Sequence, residues 1–220
     1  MEPPQAFKIH ECSELPSAGI PLERDAACMA QISHLFEPIQ WLGAGAFGIA
    51  ILLRNKTNGE RVVAKMTIFK EMERELRIAC ELNGLHGETP IFPHTYGWLF
   101  CEDIPDEWRA ALRWPTDNIV RNHKIWTAIF VDNLPVYYLF MQYVEFHWLN
   151  TKDVELWRDH GYRVCLFILL HGMAVARKEL GFFHRDVHQD NIMLQPAAAA
   201  AGGGEVSRFQ FGRNEFRVTS

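Results

Sequence analysis

The sequence predicts an α+β fold: an antiparallel sheet carrying one main helix, followed by a mainly helical second part. Three observations predict it. First, "IQWLGAGAFGIAILLRN" and "RVVAKMTIF" read as strand, glycine turn, strand and then, across "KTNGE", a further strand. Strands joined by such short turns pair antiparallel. Second, "KEMERELRIACELNGL" sets Met72, Leu76, Ile78, Ala79 and Leu82 at near-helical spacing, with Gly84 as the stop. Third, "DVELWRDHGYRVCLFILLHGMAVARKELG", over 153–181, reads as one long buried helix.

The other elements follow in chain order. Residues 1–35 form an extension, with a short helix around "LERDAACMAQISHLF". The sheet gains "IFPHTYGWLF" and "PVYYLFMQYV" as strands, and between them the Trp- and Pro-bearing stretch 102–134 reads as an irregular insertion. After the long helix, "NIMLQP" reads as a short strand and "AAAAAGGG" as a low-complexity linker. "VSRFQFGRNEFRVTS" alternates around "GRN" and reads as a hairpin. The expected division is an extension (1–35), a sheet part with its insertion (36–145) and a helical part (146–220).

Composition narrows the function classes. The chain has 220 residues, 48% hydrophobic and 22% charged, which describes an ordinary globular protein. Its formal net charge of −5 gives no chain-wide basic field for nucleic acid. Cys12, Cys28, Cys80, Cys101 and Cys165 are scattered and form no C-x-x-C pair, which argues against a disulfide scaffold or zinc ribbon and suits a reducing compartment. The N-terminus lacks an apolar signal core, and "VCLFILLHGMAVA" is too short for a membrane span. The expectation is a soluble intracellular protein, cytoplasmic or nuclear, with no membrane partner.

The residues that could carry chemistry stand in a definite order. Gly43, Gly45 and Gly48 have G-x-G-x-x-G spacing, and they lie between two strands, where small residues let the backbone lie over phosphates. Phe47 would cap that turn. Lys65, in "VVAK", is an ammonium in an apolar strand and must either reach water or meet a negative partner. Glu71, Glu73, Glu75 and Glu81 lie on the following helix; Glu75 adjoins the apolar stripe and is the chosen partner, with Glu71 second. Finally, "HRDVHQDN" pairs Asp186, which would accept or orient the proton of an attacking hydroxyl, with Asn191, whose amide oxygen would meet magnesium.

This ordered set, "GAGAFGIA", "VVAK", Glu75 in "RELRI" and "HRDVHQDN", resembles the protein kinase family. "HRDVHQDNIML", with His188 where most protein kinases carry a lysine, is closer to the divergent haspin-like branch, as is the trailing hairpin segment. The resemblance implies a bilobal fold with an incomplete helical second lobe, ATP and Mg2+ as cofactors, and transfer to Ser/Thr hydroxyls of a protein. It implies that Leu42, Gly43, Gly45, Phe47, Gly48, Ala64 and Lys65 contact the nucleotide and that Met141 borders the adenine. Gln142 and Val144 would bond the base through their backbone. Glu75 would position Lys65, Asp186 would be the base, Asn191 the metal ligand, and His188 a pH-dependent positive group near the transferred phosphoryl. Small-molecule kinases of the aminoglycoside and choline type share the His but usually lack the Arg of His-Arg-Asp, so they are the further alternative.

Three features depart from the pattern. Only 10 residues separate Lys65 from Glu75, residues 102–134 have no counterpart, and no D-F-G follows Asn191. The chain is therefore expected to be a gene fragment or a shortened kinase-like protein, and to bind nucleotide weakly and transfer phosphate slowly or not at all. The alternative function is a catalytically weak or idle lobe that docks on a partner, a kinase or another protein, through the helix at 153–180.

Overall fold

Five strands form one antiparallel sheet in the order β1-β2-β3-β5-β4: β1 Phe36–Gly45, β2 Gly48–Asn55, β3 Arg61–Thr67, β4 Thr95–Cys101 and β5 Val136–Gln142. The computed structural model describes residues 9–15, 28–45, 48–68, 72–89, 91–111, 124–132, 134–144, 161–187, 191–192, 206–211 and 214–219. The chain divides into two compact units, Met1–Gly84 with Pro93–Tyr143 and Leu85–Phe92 with Val144–Ser220. The β2–β3 turn is built as its sequence demands. The Asn55 side chain accepts from Thr57 N–H (2.8 Å) and that of Asn58 from Glu60 N–H (2.9 Å), while Gly59 supplies φ 75°.

The strand registers assign each residue to a face. Ile51, Ala64 and Phe140 stand side by side, as do Ile49, Met66, Tyr138 and Leu99. The opposite face carries Ala50, Lys65, Leu139 and Trp98, with Leu52, Val63 and Met141 in the next row. Both faces are covered. α2 (Met72–Asn83) buries Met72 and Leu76 against Trp98, Phe100, Tyr137 and Leu139. On the other face lie α1 (Cys28–Leu35), α3 (Asp106–Ala111) and α4 (Lys124–Phe130), which contribute Ile32, Trp108, Ile125 and Ile129 to a core with Ile51, Ala64 and Phe140.

That arrangement changes the standing of two segments. The described part of the supposed extension is integral: Cys28 and Ile32 are fully buried. The stretch read as an irregular insertion supplies two helices, because a sheet apolar on both faces needs cover on both. Arg109 joins them, donating to the Phe130 carbonyl (2.9 Å) and pairing with the Asp103 carboxylate.

The cysteine reading is corrected as well. Cys12 is bonded to Cys80 and Cys28 to Cys101, with Cα separations of 5.3 and 5.4 Å. Bridges across 68 and 73 residues are invisible in local spacing, since only sheet packing brings their ends together. The cysteine pattern therefore gives no support to a reducing compartment. The side chain of Cys165 lies outside the described residues.

Tyr96 on β4 makes the first unit sensitive to alkali. Burial and the Glu60 carboxylate, which accepts its hydroxyl hydrogen bond at 2.6 Å, push the phenol up to about 12. Its contribution to stability is complete below the unfolded value near 10 and is lost as pH rises toward 12, since the unfolded chain ionises first. Denaturant midpoints measured across that window should fall more steeply for wild type than for Tyr96→Phe; identical slopes would refute the assignment.

In the second unit, α5 (Gly161–Leu180) lies so close to the segment before β4 that a Cβ on Gly172 would collide with the side chains of Ile91 and Thr89. Gly181 ends the helix at φ 64°, its N–H donating to the Arg177 carbonyl at 3.0 Å. α5 is less buried than its composition suggests: Ala176 is enclosed, but Leu166 and Leu170 are 50% and 58% exposed. β6 (Val206–Phe211) and β7 (Asn214–Thr219) pair as the expected hairpin. The strand read in "NIMLQP" lies mostly outside the described residues, and Asn191 and Ile192 are not in one. Among the described residues, no helix is long and apolar enough to cross a membrane.

Candidate functional site

In the first unit the site grows from the β1–β2 hairpin and from β3. Gly45 pairs with Gly48 at the hairpin end and Gly43 pairs with Ala50. At Gly48 the missing side chain matters. A Cβ there would lie 2.9 Å from the Met66 carbonyl oxygen and 3.0 Å from Lys65 Cε, so glycine lets the lysine stem run against the start of β2. Leu42, just before the glycines, is 38% exposed, unusual for a large apolar side chain within a strand. Phe47 lies outside the described residues.

Strand alternation turns Lys65 toward the face that α2 covers. One helical turn after the buried Met72, Glu75 reaches that same edge, and Lys65 Nζ donates to Glu75 Oε1 at 2.5 Å. The 10-residue connection suffices because α2 begins at Met72, five residues beyond the last residue of β3, Thr67. The neighbouring Glu73 pairs instead with Arg77 at 3.3 Å, and Glu71 lies outside the described residues. The Lys65 and Glu75 side chains are 25% and 38% exposed, so water screens the pair and its worth to stability is about 1 kcal/mol or less. What the pair does is hold an ammonium in one place.

Ala64 does not belong to this face. It is fully buried in the core beside Ile51 and Phe140, opposite to Lys65. Counting by two from Lys65 gives Val63 as the residue that shares its face, and Val63 stands across from Met141. That signal was present in the sequence as plain alternation. At the end of β5, Gln142 N–H donates to the His94 carbonyl (2.7 Å) and its side-chain oxygen accepts from His94 N–H (3.1 Å). Gln142 therefore does not offer that N–H to a ligand. Val144 follows two residues later as the last described position before 161.

The second unit contains the other half of the expected site. Asn191 Nδ2 donates to the Asp186 carbonyl oxygen (2.9 Å) and lies 3.3 Å from its carboxylate Oδ2. These contacts hold the Asn191 amide against Asp186. Arg185, immediately before, has φ 60°, a left-handed conformation that a non-glycine residue adopts at a cost of order 1–3 kcal/mol and that gathers at functional sites. The loop is wedged from behind by aromatic contacts: Phe182 meets both Phe92 (5.8 Å) and His184 (6.1 Å) edge-on, and Arg177 lies over Phe183 (4.7 Å). Asp186 itself is exposed. His188 lies outside the described residues, and no group of three or more metal-ligating side chains occurs among those described.

Thus two predicted pairs are each brought together, Lys65 with Glu75 and Asp186 with Asn191. Comparison of the chain with known protein families and with curated proteins finds no match.

Proposed function

We propose that the chain is built to bind ATP and to pass its terminal phosphoryl group to a Ser or Thr hydroxyl of a protein, in the manner of a haspin-like protein kinase. The observation that carries the reading is the ion pair between Lys65 and Glu75. A lysine on a sheet, braced by a helix carboxylate and lying beside a glycine turn, is what holding nucleotide phosphates requires. Lys65 would meet the phosphates, with its ammonium oriented by Glu75. The backbone of Gly43 to Gly48 would lie over them, while Val63, Leu42 and Met141 would enclose the base. Asp186 would orient the acceptor hydroxyl and take its proton as the new oxygen–phosphorus bond forms and the bond to the leaving phosphate breaks. A Mg2+ ion, when bound, would neutralise phosphate charge, and Asn191 is the residue that would hold it.

The test is direct. The protein should bind a fluorescent ATP analogue with Mg2+, if weakly, and label from the γ-phosphate should appear slowly on basic peptides containing Ser or Thr. Asp186→Ala should retain binding while transfer falls by about a hundredfold or more. No binding of the analogue at millimolar concentration would end the proposal.

A further inference from the structure

The segment 9–15 makes a dense set of contacts that the nucleotide reading does not use. His10 exchanges backbone hydrogen bonds with Trp98 on β4 (3.1 and 2.9 Å) and stacks on its ring at 4.5 Å. The approach is so close that a Cβ on Gly97 would overlap the His10 carbonyl. Leu15 packs on the cluster of Met72, Leu76 and Trp98. Between them, Cys12 is bonded to Cys80 of α2. The end of α2 is also pinned to β4 by Asn83, whose side chain accepts from Thr95 N–H and donates to Thr95 O, both at 2.8 Å. Cys12 Sγ lies at this junction, 3.7 Å from Thr95 O and 3.6 Å from Asn83 Nδ2. A strap from β4 therefore crosses to the helix that carries Glu75 and is bonded to it one turn and a half further on, at Cys80.

We infer that residues 9–15 are a positioning strap for Glu75 and that a dithiol releases it by reducing the Cys12–Cys80 bond. The regulation rests on the nucleotide reading given above; the strap itself does not. The chemistry balances: one thiolate of a dithiol attacks a bridge sulfur, and its second thiol closes a cyclic disulfide. Two electrons and two protons then pass to Cys12 and Cys80, which leave as thiols. Access favours this bond over its neighbour. Cys12 and Cys80 are half-buried, whereas Cys28 and Cys101 are 0% exposed within the core. An attacking thiolate must reach a sulfur, so mild reductant opens the strap first. With the bond open, the C-terminal half of α2 keeps the Asn83 hydrogen bonds and the packing of Ala79 and Leu82 but loses its covalent tie, and Glu75 loses part of the restraint that aims it at Lys65.

The experiment uses the full chain, oxidised and then treated with dithiothreitol, with non-reducing peptide mapping to follow each bridge. Two readouts are taken: hydrogen exchange of α2 amides, and the rate at which Lys65 is acylated by an amine-specific reagent. Reduction should speed exchange across 76–83 and raise Lys65 acylation on the order of fivefold, the low end of coupling between linked sites. A Cys12→Ser, Cys80→Ser variant should behave like the reduced protein and ignore the reductant. The inference is overturned if the oxidised protein yields no Cys12–Cys80 peptide, or if both readouts are the same before and after that bond is cut. Binding of the ATP analogue, measured in parallel, should weaken to a similar degree. If exchange and acylation respond while neither form binds nucleotide, the strap stands and the nucleotide reading falls.

Discussion

Lys65→Met is expected to weaken binding of an ATP analogue by on the order of a hundredfold, the effect of removing one preorganised charge from a phosphate site. The magnitude follows from where the ammonium sits. At 25% exposure it would meet a phosphate in a medium between water and protein interior, where a contact pair near an effective dielectric of 20 is worth about 4 kcal/mol before desolvation is subtracted. A hundredfold corresponds to about 2.7 kcal/mol, within that ceiling. Glu75→Gln should weaken binding by a smaller factor, about tenfold, since the ammonium remains and only its orientation is lost. The two effects should not add: Lys65→Met with Glu75→Gln should bind no worse than Lys65→Met alone, because Glu75 acts through the lysine. Titration of the analogue against the four proteins decides it. Fully additive losses would mean that Glu75 serves some other partner, and an unaffected Lys65→Met would remove the lysine from the site.

The largest effect on stability is expected at Trp108, in the segment whose sequence looked irregular. Its side chain is fully buried and meets the Tyr138 ring edge-on at a centroid distance of 6.1 Å. Truncating a buried indole removes its transfer free energy and leaves a cavity, so Trp108→Ala should cost about 3–5 kcal/mol. Trp108→Phe should cost much less, and not only because the ring is kept. Trp108 Nε1 is buried with no hydrogen-bond partner among the described residues, so the smaller ring also removes an unsatisfied donor. Urea denaturation monitored by circular dichroism, comparing midpoints at constant slope, measures both. A loss under about 1 kcal/mol for Trp108→Ala would show that α3 rests on the sheet without sharing its core.

How much of this was legible in the chain depends on the range of the interaction. The strands of the sheet, the β2–β3 turn and α2 could be read because each is governed by neighbours: an unbroken apolar run from Ile49 to Leu53 between turn residues, side-chain acceptors at Asn55 and Asn58, an apolar stripe from Met72 to Leu82. The choice of Glu75 over Glu73 or Glu81 was legible for the same reason, as its place relative to Met72 is set by helix geometry alone. Val63 was legible too, two positions from Lys65 on the same strand face.

The remainder needed the tertiary structure. The sheet is covered by α1, α3 and α4 from segments far apart in the chain, and nothing in the composition of 102–134 shows that Trp108 and Ile125 meet Phe140 and Ile51 in one core. The Cys12–Cys80 and Cys28–Cys101 bonds and the commitment of Gln142 N–H to His94 likewise depend on distances between residues dozens of positions apart. Local periodicity determined which surfaces were apolar and where charge could stand. Only the packed chain, which must satisfy excluded volume and backbone hydrogen bonding everywhere at once, decided which of those surfaces would meet.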